Sequence, residues 1–370
     1  MERNINMLRL ITGFLLLCII FFPKDVMASA FIRDKLLIYD NYKEFSGGIF
    51  ENTELNDDRY GFIRLSPKGS KFCPKGIYIS PLIKTEFPAE EIYPSWNIIC
   101  PKEKAGFRIY LRVSNDKINW SSWFYMGSWG TYEEDKKKVI KDDLGAVDID
   151  FLSLKKGITC IQYSIHLFSS KDGHITPRVK LFAIAYGQKD KHALNLNRGN
   201  ILLKKYLEVP YRSQADEDPC IAGRICSPTS VAMVMAYWGL NIPTAEIASM
   251  SYDKEHDIYG SWPLAVHVAS QYGLKGWVQI FSSWSQVEEK ISTGIPVIAT
   301  ISYKEGELKG SITNSSEGHV IVITGFDSEG NLLCNDPAGK NAKIGIMTYN
   351  KNDLEKVWFE NSGIGYIILK

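Results

Sequence analysis

Residues 226–239 read Cys-Ser-Pro-Thr-Ser-Val-Ala-Met-Val-Met-Ala-Tyr-Trp-Gly, so a cysteine stands directly before an apolar run. Apolar residues recur at helical spacing, which predicts a helix capped by Cys226 or Ser227 and ended by Gly239. Unpaired N–H groups at a helix N-terminus favour thiolate over thiol, and thiolate is the nucleophilic form of cysteine. The pattern therefore fits a catalytic Cys226, although a buried structural cysteine would show the same local pattern.

The length and composition of the chain indicate a globular protein with two domains. Its 370 residues exceed one average domain, and 45% of them are hydrophobic. A formal net charge of +1, with the charges dispersed, gives no indication of nucleic-acid binding. No two cysteines have the spacing of a CxxC pair, so the sequence predicts no zinc site and suggests no cofactor.

Residues 1–30 have the organisation of a secretory signal peptide. Arg3 and Arg9 form a positive region, the apolar run covers residues 10–22, and Ala28-Ser-Ala30 is a small-residue cleavage site. The apolar run is shorter than the roughly 20 residues of a spanning helix, which makes a membrane anchor the weaker alternative. We expect cleavage after Ala30, a secreted or cell-wall-associated protein, and no membrane contact beyond the signal peptide. Export permits disulfides among the remaining cysteines, but their connectivity does not follow from sequence.

The pattern of residues 31–187 predicts an all-β sandwich. Short alternating or β-branched runs, such as residues 106–114, are bounded by turn residues, and long helical periods are absent. Residues 112–123, Arg-Val-Ser-Asn-Asp-Lys-Ile-Asn-Trp-Ser-Ser-Trp, resemble a hairpin of secreted jelly-roll modules that bind sugars or cell surfaces. Trp120 and Trp123 fit either a sugar-binding face or ordinary core and edge positions, so carbohydrate or surface binding stays open.

Residues 188–205 are polar and rich in turn formers, which indicates a linker before the C-terminal half at residues 206–370. The sequence pattern of that half predicts helices followed by strands, which is an α+β arrangement. Two of the predicted strands, residues 319–327 and 331–335, are joined by a short turn and should form an antiparallel hairpin.

The hairpin brings two chemically useful side chains together. His319 begins its first strand and Asp336 follows its second strand, so the two should lie side by side. A carboxylate beside a histidine fixes the tautomer, and the imidazole in turn deprotonates a thiol such as that of Cys226. Gln214 lies a short loop before the helix, where its amide N–H can bind a developing oxyanion.

Four motifs of the C-terminal half support a resemblance to a known family. They occur in the order Val209-Pro-Tyr211 with Gln214, the stretch 226–239, Gly318-His-Val-Ile-Val-Ile-Thr-Gly325, and Asn335-Asp-Pro337. In these motifs, residues 206–370 resemble the bacteriocin-processing (double-glycine) peptidase-like family of papain-like cysteine peptidases. The resemblance implies a papain-like fold with Cys226 as nucleophile, His319 as base, Asp336 as orienting carboxylate and Gln214 as oxyanion donor.

Two features depart from the family pattern. Ser227 stands where the family usually has glycine, and Cys220 lies between Gln214 and Cys226. Neither removes a catalytic group. Cys220 is an alternative nucleophile, although no helical pattern directly follows it.

The sequence thus predicts an exported cysteine peptidase that hydrolyses peptide or peptidoglycan amide bonds. Transporter-linked relatives cut leader peptides after paired glycines, but this chain has no transporter segments, so that substrate is not carried over. The alternative is a cell-wall or carbohydrate-binding protein. Its papain-like domain would then carry out acyl transfer or amidase chemistry, or would only assist binding.

Overall fold

The computed structural model describes residues 34–56, 61–131, 138–189 and 204–370. The predicted signal peptide, its predicted cleavage site after Ala30 and most of the predicted linker lie outside these ranges. Within them, every helix is too short or too polar to span a bilayer.

The N-terminal part, residues 34–189, is mostly β sheet, as the sequence predicts. Eleven of its strands form one branched sheet whose main path runs β10-β9-β12-β8-β13-β4-β3, and β5 and β6 pair with each other. The jelly-roll arrangement stays a prediction. The elements are β1 (Asp34–Tyr39), α1 (Tyr42–Ser46), β2 (Ile49–Glu51), β3 (Thr53–Asn56), β4 (Phe62–Leu65), β5 (Pro67–Lys68), β6 (Lys71–Phe72), β7 (Lys75–Ile79), β8 (Ile83–Ile99), β9 (Gly106–Ser114), β10 (Phe124–Gly130), β11 (Gly145–Asp148), β12 (Phe151–Phe168) and β13 (Arg178–Gly187).

The tryptophans of the jelly-roll-like motif pack against a cation of the same motif. The guanidinium of Arg112 lies over the rings of Trp120 and Trp123, 4.4 and 4.6 Å from their centroids. Arg112 also donates to Gln162 Oε1 on the neighbouring strand β12. Both indoles therefore have a partner within the chain, which favours the packing interpretation over a free sugar-binding face.

The C-terminal part, residues 204–370, contains a seven-stranded sheet with the order β15-β20-β16-β17-β18-β19, to which β14 is paired through β17. Helices α2 to α5 precede all of these strands except β14. The papain-like arrangement stays a prediction. The elements are β14 (Lys205–Tyr206), a 3₁₀ turn (Gln214–Asp216), α2 (Pro219–Ala222), α3 (Cys226–Tyr237), α4 (Thr244–Ser251), α5 (Trp262–Gln271), β15 (Lys275–Ile280), α6 (Trp284–Ser292), β16 (Val297–Tyr303), β17 (Ser316–Phe326), β18 (Leu332–Asn335), α7 (Ala342–Gly345), β19 (Ile346–Tyr349), α8 (Lys351–Trp358) and β20 (Ile364–Leu369).

Helix α3 is a buried helix that begins at Cys226. Residues 227–235 are all buried, as expected for a helix that is apolar on every side. The expected cap is wrong: the capping position is held by Ile225, without a side-chain capping hydrogen bond, and Cys226 and Ser227 lie inside the first turn. Gly239 follows the last turn with φ +88°, a left-handed conformation that suits glycine.

The two parts meet along β15, the edge strand of the C-terminal sheet. Asn97 on β8 donates Nδ2–H to the Gly276 carbonyl (2.8 Å) and accepts the Gly276 N–H at Oδ1 (3.0 Å). The hydroxyl of Ser95 accepts the N–H of Val278 (3.0 Å). These side chains satisfy backbone groups of an edge that would otherwise be open to another strand.

Candidate active site

His319 and Asp336 meet at the end of the β17–β18 hairpin. The strands pair antiparallel, with Val322 opposite Asn335. His319 Nε2 lies 2.7 Å from Asp336 Oδ1. Both side chains are buried, with His319 7% and Asp336 0% exposed. The side-by-side placement that the hairpin predicts is therefore observed.

Cys226 approaches the same imidazole from the N-terminus of α3. Its sulfur lies close enough to His319 to raise the pKa of the imidazole through hydrogen bonding and charge. Because Nε2 of the ring is engaged with Asp336, Nδ1 is the nitrogen available to the thiol. Cys226 is also the first residue of α3, where the backbone N–H has no acceptor within the helix. Cys226 is thus close both to a base and to the unpaired N–H groups at the start of the helix.

The histidine favours its charged form at neutral pH. Burial by itself lowers the pKa of His319, but hydrogen bonds and charge from Asp336 and Cys226 outweigh burial and raise that pKa to about 10. Burial raises the pKa of Asp336, yet its interactions with His319, the Ala338 N–H and the Tyr349 hydroxyl bring it below its ordinary value. The pair is therefore an imidazolium facing a carboxylate.

Further hydrogen bonds fix the position of Asp336. The Tyr349 hydroxyl donates to Oδ2 (2.8 Å), and the Ala338 N–H donates to Oδ1 (2.9 Å). The backbone N–H of Asp336 donates to the Gly345 carbonyl (2.7 Å), and its carbonyl accepts the Tyr211 hydroxyl (3.0 Å). A carboxylate held in this way presents one oxygen to the histidine with little freedom to rotate.

Tyr349 is a site residue that the sequence did not predict. Its strand β19 pairs with β18, so the tyrosine lies at the far side of the sheet order from β15. A short run of strand-forming residues at 346–349, Ile-Met-Thr-Tyr, was the available signal, and it indicates a strand but no partner for the hydroxyl.

Gln214 lies on the Asp336 side of the site. Its backbone N–H donates to the carbonyl of Pro337 (2.9 Å), which ties the loop before α3 to the residue after Asp336. Among the described residues, its buried side-chain oxygen Oε1 has no hydrogen-bond partner. The oxyanion role of Gln214 stays a prediction.

The competing cysteine has a different environment. Cys220 is exposed on the short helix α2, and hydrogen bonding to Asp218 raises its thiol pKa. The six cysteines in the described ranges are all free thiols. A raised pKa reduces the thiolate fraction at neutral pH, which favours Cys226 over Cys220 as the nucleophile.

A cavity of about 420 Å³ opens beside Cys226 and is large enough to receive part of a peptide. Its walls include Trp262, Gly318 and Thr300, and the charged side chains of Arg224 and Glu317. Among the described residues, no group of three or more His, Cys, Asp or Glu side chains is arranged to hold a metal ion.

Comparison with known proteins adds two family matches. A model described as the peptidase C39 like family matches residues 206–366, and a model described as the peptidase C39 N-terminal domain matches residues 39–187. No curated protein sequence matches the chain.

Solved structures show weaker similarities. A protein described as a C39-like peptidase from Bacillus anthracis has 18% identity and a TM-score of 0.36, covering 45% of this chain and 98% of its own. A double glycine motif protease from an AMS/PCAT transporter, in complex with the leader peptide, has 17% identity and a TM-score of 0.27, covering 47% and 96%. The CBM22-1 and GH10 modules of a Clostridium thermocellum endo-1,4-β-D-xylanase, complexed with xylohexaose, have 12% identity and a TM-score of 0.22, covering 48% and 32%. All three TM-scores are below 0.5, so these similarities add no argument about substrate.

The family assignment therefore rests on the model that spans the C-terminal half, and the hairpin with His319 and the helix with Cys226 both lie inside the match. Residues 206–366 match the peptidase C39-like family, and the chain is a cysteine-type peptidase.

Proposed function

We propose that this protein is an exported cysteine peptidase that hydrolyses peptide or peptidoglycan amide bonds with Cys226, His319, Asp336 and Gln214. One observation carries the proposal: His319 Nε2 lies 2.7 Å from the Asp336 carboxylate, and Cys226 lies close enough to the same imidazole to raise its pKa. This is the arrangement needed to form a thiolate, to hold the resulting imidazolium and to return its proton during the reaction.

In the first half-reaction the thiolate of Cys226 attacks the carbonyl carbon of the scissile amide and forms a C–S bond. The carbonyl oxygen becomes an oxyanion. The imidazolium of His319 then donates its proton to the amide nitrogen, the C–N bond breaks, and the amine leaves. The acyl group remains on Cys226 as a thioester, and the imidazole is neutral.

In the second half-reaction a water molecule enters where the amine left. His319 takes a proton from the water, whose oxygen attacks the thioester carbonyl. Collapse of the tetrahedral intermediate releases a carboxylic acid and the Cys226 thiolate, and the proton remains on His319. Asp336 stays ionised throughout and holds the ring in one orientation.

The oxyanion requires hydrogen-bond donors that face the carbonyl oxygen of the substrate. The Cys226 N–H at the start of α3 is one candidate, and the side-chain amide of Gln214 is the other. The bond from the Gln214 N–H to Pro337 supports this role, because it anchors the loop near the orienting carboxylate.

The proposal also covers the localisation and the domain organisation of the protein. Residues 1–30 would be removed after Ala30, leaving a jelly-roll-like β domain to residue 187, a linker over residues 188–205, and a papain-like peptidase domain to residue 370. The secretory pattern of residues 1–30 supports release to the cell exterior or the cell wall. A peptide or wall peptide outside the cell is then the substrate, and wall glycan is a candidate ligand of the β domain.

The test is digestion of a peptide library and of purified peptidoglycan by the wild type and by Cys226→Ala in parallel. We expect hydrolysis by the wild type to fall to below about 1% in the variant, because no other group supplies the thioester route. Iodoacetamide should modify Cys226 faster than the other cysteines.

Cys220→Ala is the matched control, since it removes an exposed thiol from the same loop region and should leave hydrolysis intact. Hydrolysis that survives Cys226→Ala, or that is lost in Cys220→Ala alone, contradicts the proposal. Products joined to an added amine instead of free acids would identify acyl transfer at the same site.

A further inference from the structure

The N-terminal part reaches the wall of the peptidase cavity through a hairpin tip. Strands β11 and β12 are joined by Ile149 and Asp150, with Asp148 paired to Phe151. Ile149 has φ +50°, a left-handed conformation that is strained for a β-branched residue. Strain of this kind persists where the surrounding structure requires a particular geometry.

The tip aims the Asp150 carboxylate at the start of helix α5. Oδ1 of Asp150 accepts the hydroxyl of Ser261 (2.7 Å). Ser261 itself makes no side-chain capping bond to the helix. Asp150, which is only 8% exposed, therefore ties the hairpin tip to the residue that precedes α5.

The same tip supports the Trp262 ring. Phe151 stacks with Trp262 at 6.2 Å between centroids, and Tyr93 lies 5.9 Å from it. Tyr93 and Phe151 also stack on each other at 4.9 Å. Trp262 in turn lines the cavity that contains Cys226. A continuous set of contacts thus joins the hairpin of the β-rich part to the cavity wall.

We propose that Asp150 and Phe151 are positioning residues for substrate binding, which hold Trp262 as a fixed wall of the cavity beside Cys226. The β-rich part then shapes the peptidase site directly, in addition to any ligand it binds by itself. The inference rests on the proposed function, because it assigns Trp262 to the peptide-binding surface of that same cavity. Trp262 affects how a peptide binds in the cavity, and the reactivity of the Cys226 thiol does not depend on it.

The test compares Asp150→Ala, Phe151→Ala and Trp262→Ala with the wild type in the full chain, using a peptide that the wild type cleaves. We expect each to raise KM at least about fivefold with kcat within about twofold, since the lost contacts help to hold substrate in the cavity. The rate of Cys226 alkylation by iodoacetamide should stay within about twofold, because this small reagent does not require the wall.

Two further variants distinguish a positioning role from a general loss of structure. Asp150→Asn keeps an oxygen that accepts from Ser261 and should restore KM to near the wild-type value. Asp148→Ala removes an exposed carboxylate from the same hairpin and should leave KM unchanged.

A double-mutant cycle of Asp150 and Trp262 measures whether the two residues act through the same contact. If Asp150 acts through Trp262, adding Asp150→Ala to Trp262→Ala should raise KM no further. An unchanged KM in Asp150→Ala and Phe151→Ala, or parallel losses of kcat, alkylation rate and Tm, overturns the inference. If Asp150→Ala does not fold, Phe151→Ala and Asp150→Asn decide the question. Residual hydrolysis by Cys226→Ala would instead reject the proposed function, so the two failures are distinguishable.

Discussion

His319 Nε2 lies 2.7 Å from Asp336 Oδ1, and the same carboxylate accepts the Tyr349 hydroxyl at its other oxygen. The carboxylate is fully buried. A buried negative charge destabilises a fold unless an opposite charge lies beside it, so the Asp336 carboxylate requires a protonated His319. The protonation state of His319 therefore affects both catalysis and the stability of the fold.

Asp336→Asn should reduce kcat about 100-fold or more, because the amide does not stabilise an imidazolium and can reverse the tautomer of His319. The variant is measured with a cleaved peptide and by active-site labelling of Cys226. Glu329→Gln, an exposed carboxyl change in the turn of the same hairpin, is the control and should retain activity. An Asp336→Asn enzyme with wild-type kcat would exclude Asp336 from the triad.

The raised pKa of His319 predicts a defined pH dependence of stability. The folded protein holds this proton more tightly than the unfolded chain, so the interaction contributes fully below pH 6.5 and is lost as the pH rises towards 10. The destabilisation caused by Asp336→Asn, on the order of 3 kcal/mol at pH 7, should therefore shrink at higher pH. Urea unfolding at pH 7 and pH 10.5 measures it. A difference that does not change with pH would contradict the ion pair.

Tyr349→Phe should destabilise the fold by about 1–3 kcal/mol, because it leaves the buried Asp336 Oδ2 without a donor. It should also raise the pKa of Asp336, moving the acidic limb of the activity profile to higher pH. Chemical denaturation and a pH–rate profile measure the two effects. Tyr206→Phe, at an exposed tyrosine, is the control. Equal behaviour of the two variants would argue against a role for Tyr349.

Asn97→Ala should destabilise the contact between the two parts by about 2–3 kcal/mol, since two hydrogen bonds to the Gly276 backbone are lost and that backbone stays buried. The open edge of β15 should then increase aggregation on heating. Differential scanning calorimetry and light scattering test this, with the exposed Asn314→Ala as control. An Asn97→Ala protein with unchanged Tm and scattering would show that the edge is protected by other contacts.

Much of the local structure follows from the sequence. The strand observed at Gly106–Ser114 coincides with the predicted one, and the helix predicted at Cys226 runs over Cys226–Tyr237. Such elements depend on the spacing of apolar residues and on nearby turn formers, which are local properties. The partnership of His319 with Asp336 was also predictable, because a short hairpin connects them.

The sequence by itself therefore determined the secondary structure of the decisive segments, the helix that carries Cys226 and the candidate residues of the site. Tertiary structure alone decided which distant groups support them. Asp150 is 111 residues from Ser261, and Asn97 is 179 residues from Gly276, so no local spacing relates either pair. Their contacts arise only when two sheets and a helix pack together, because the positions that meet are set by the packing of whole elements.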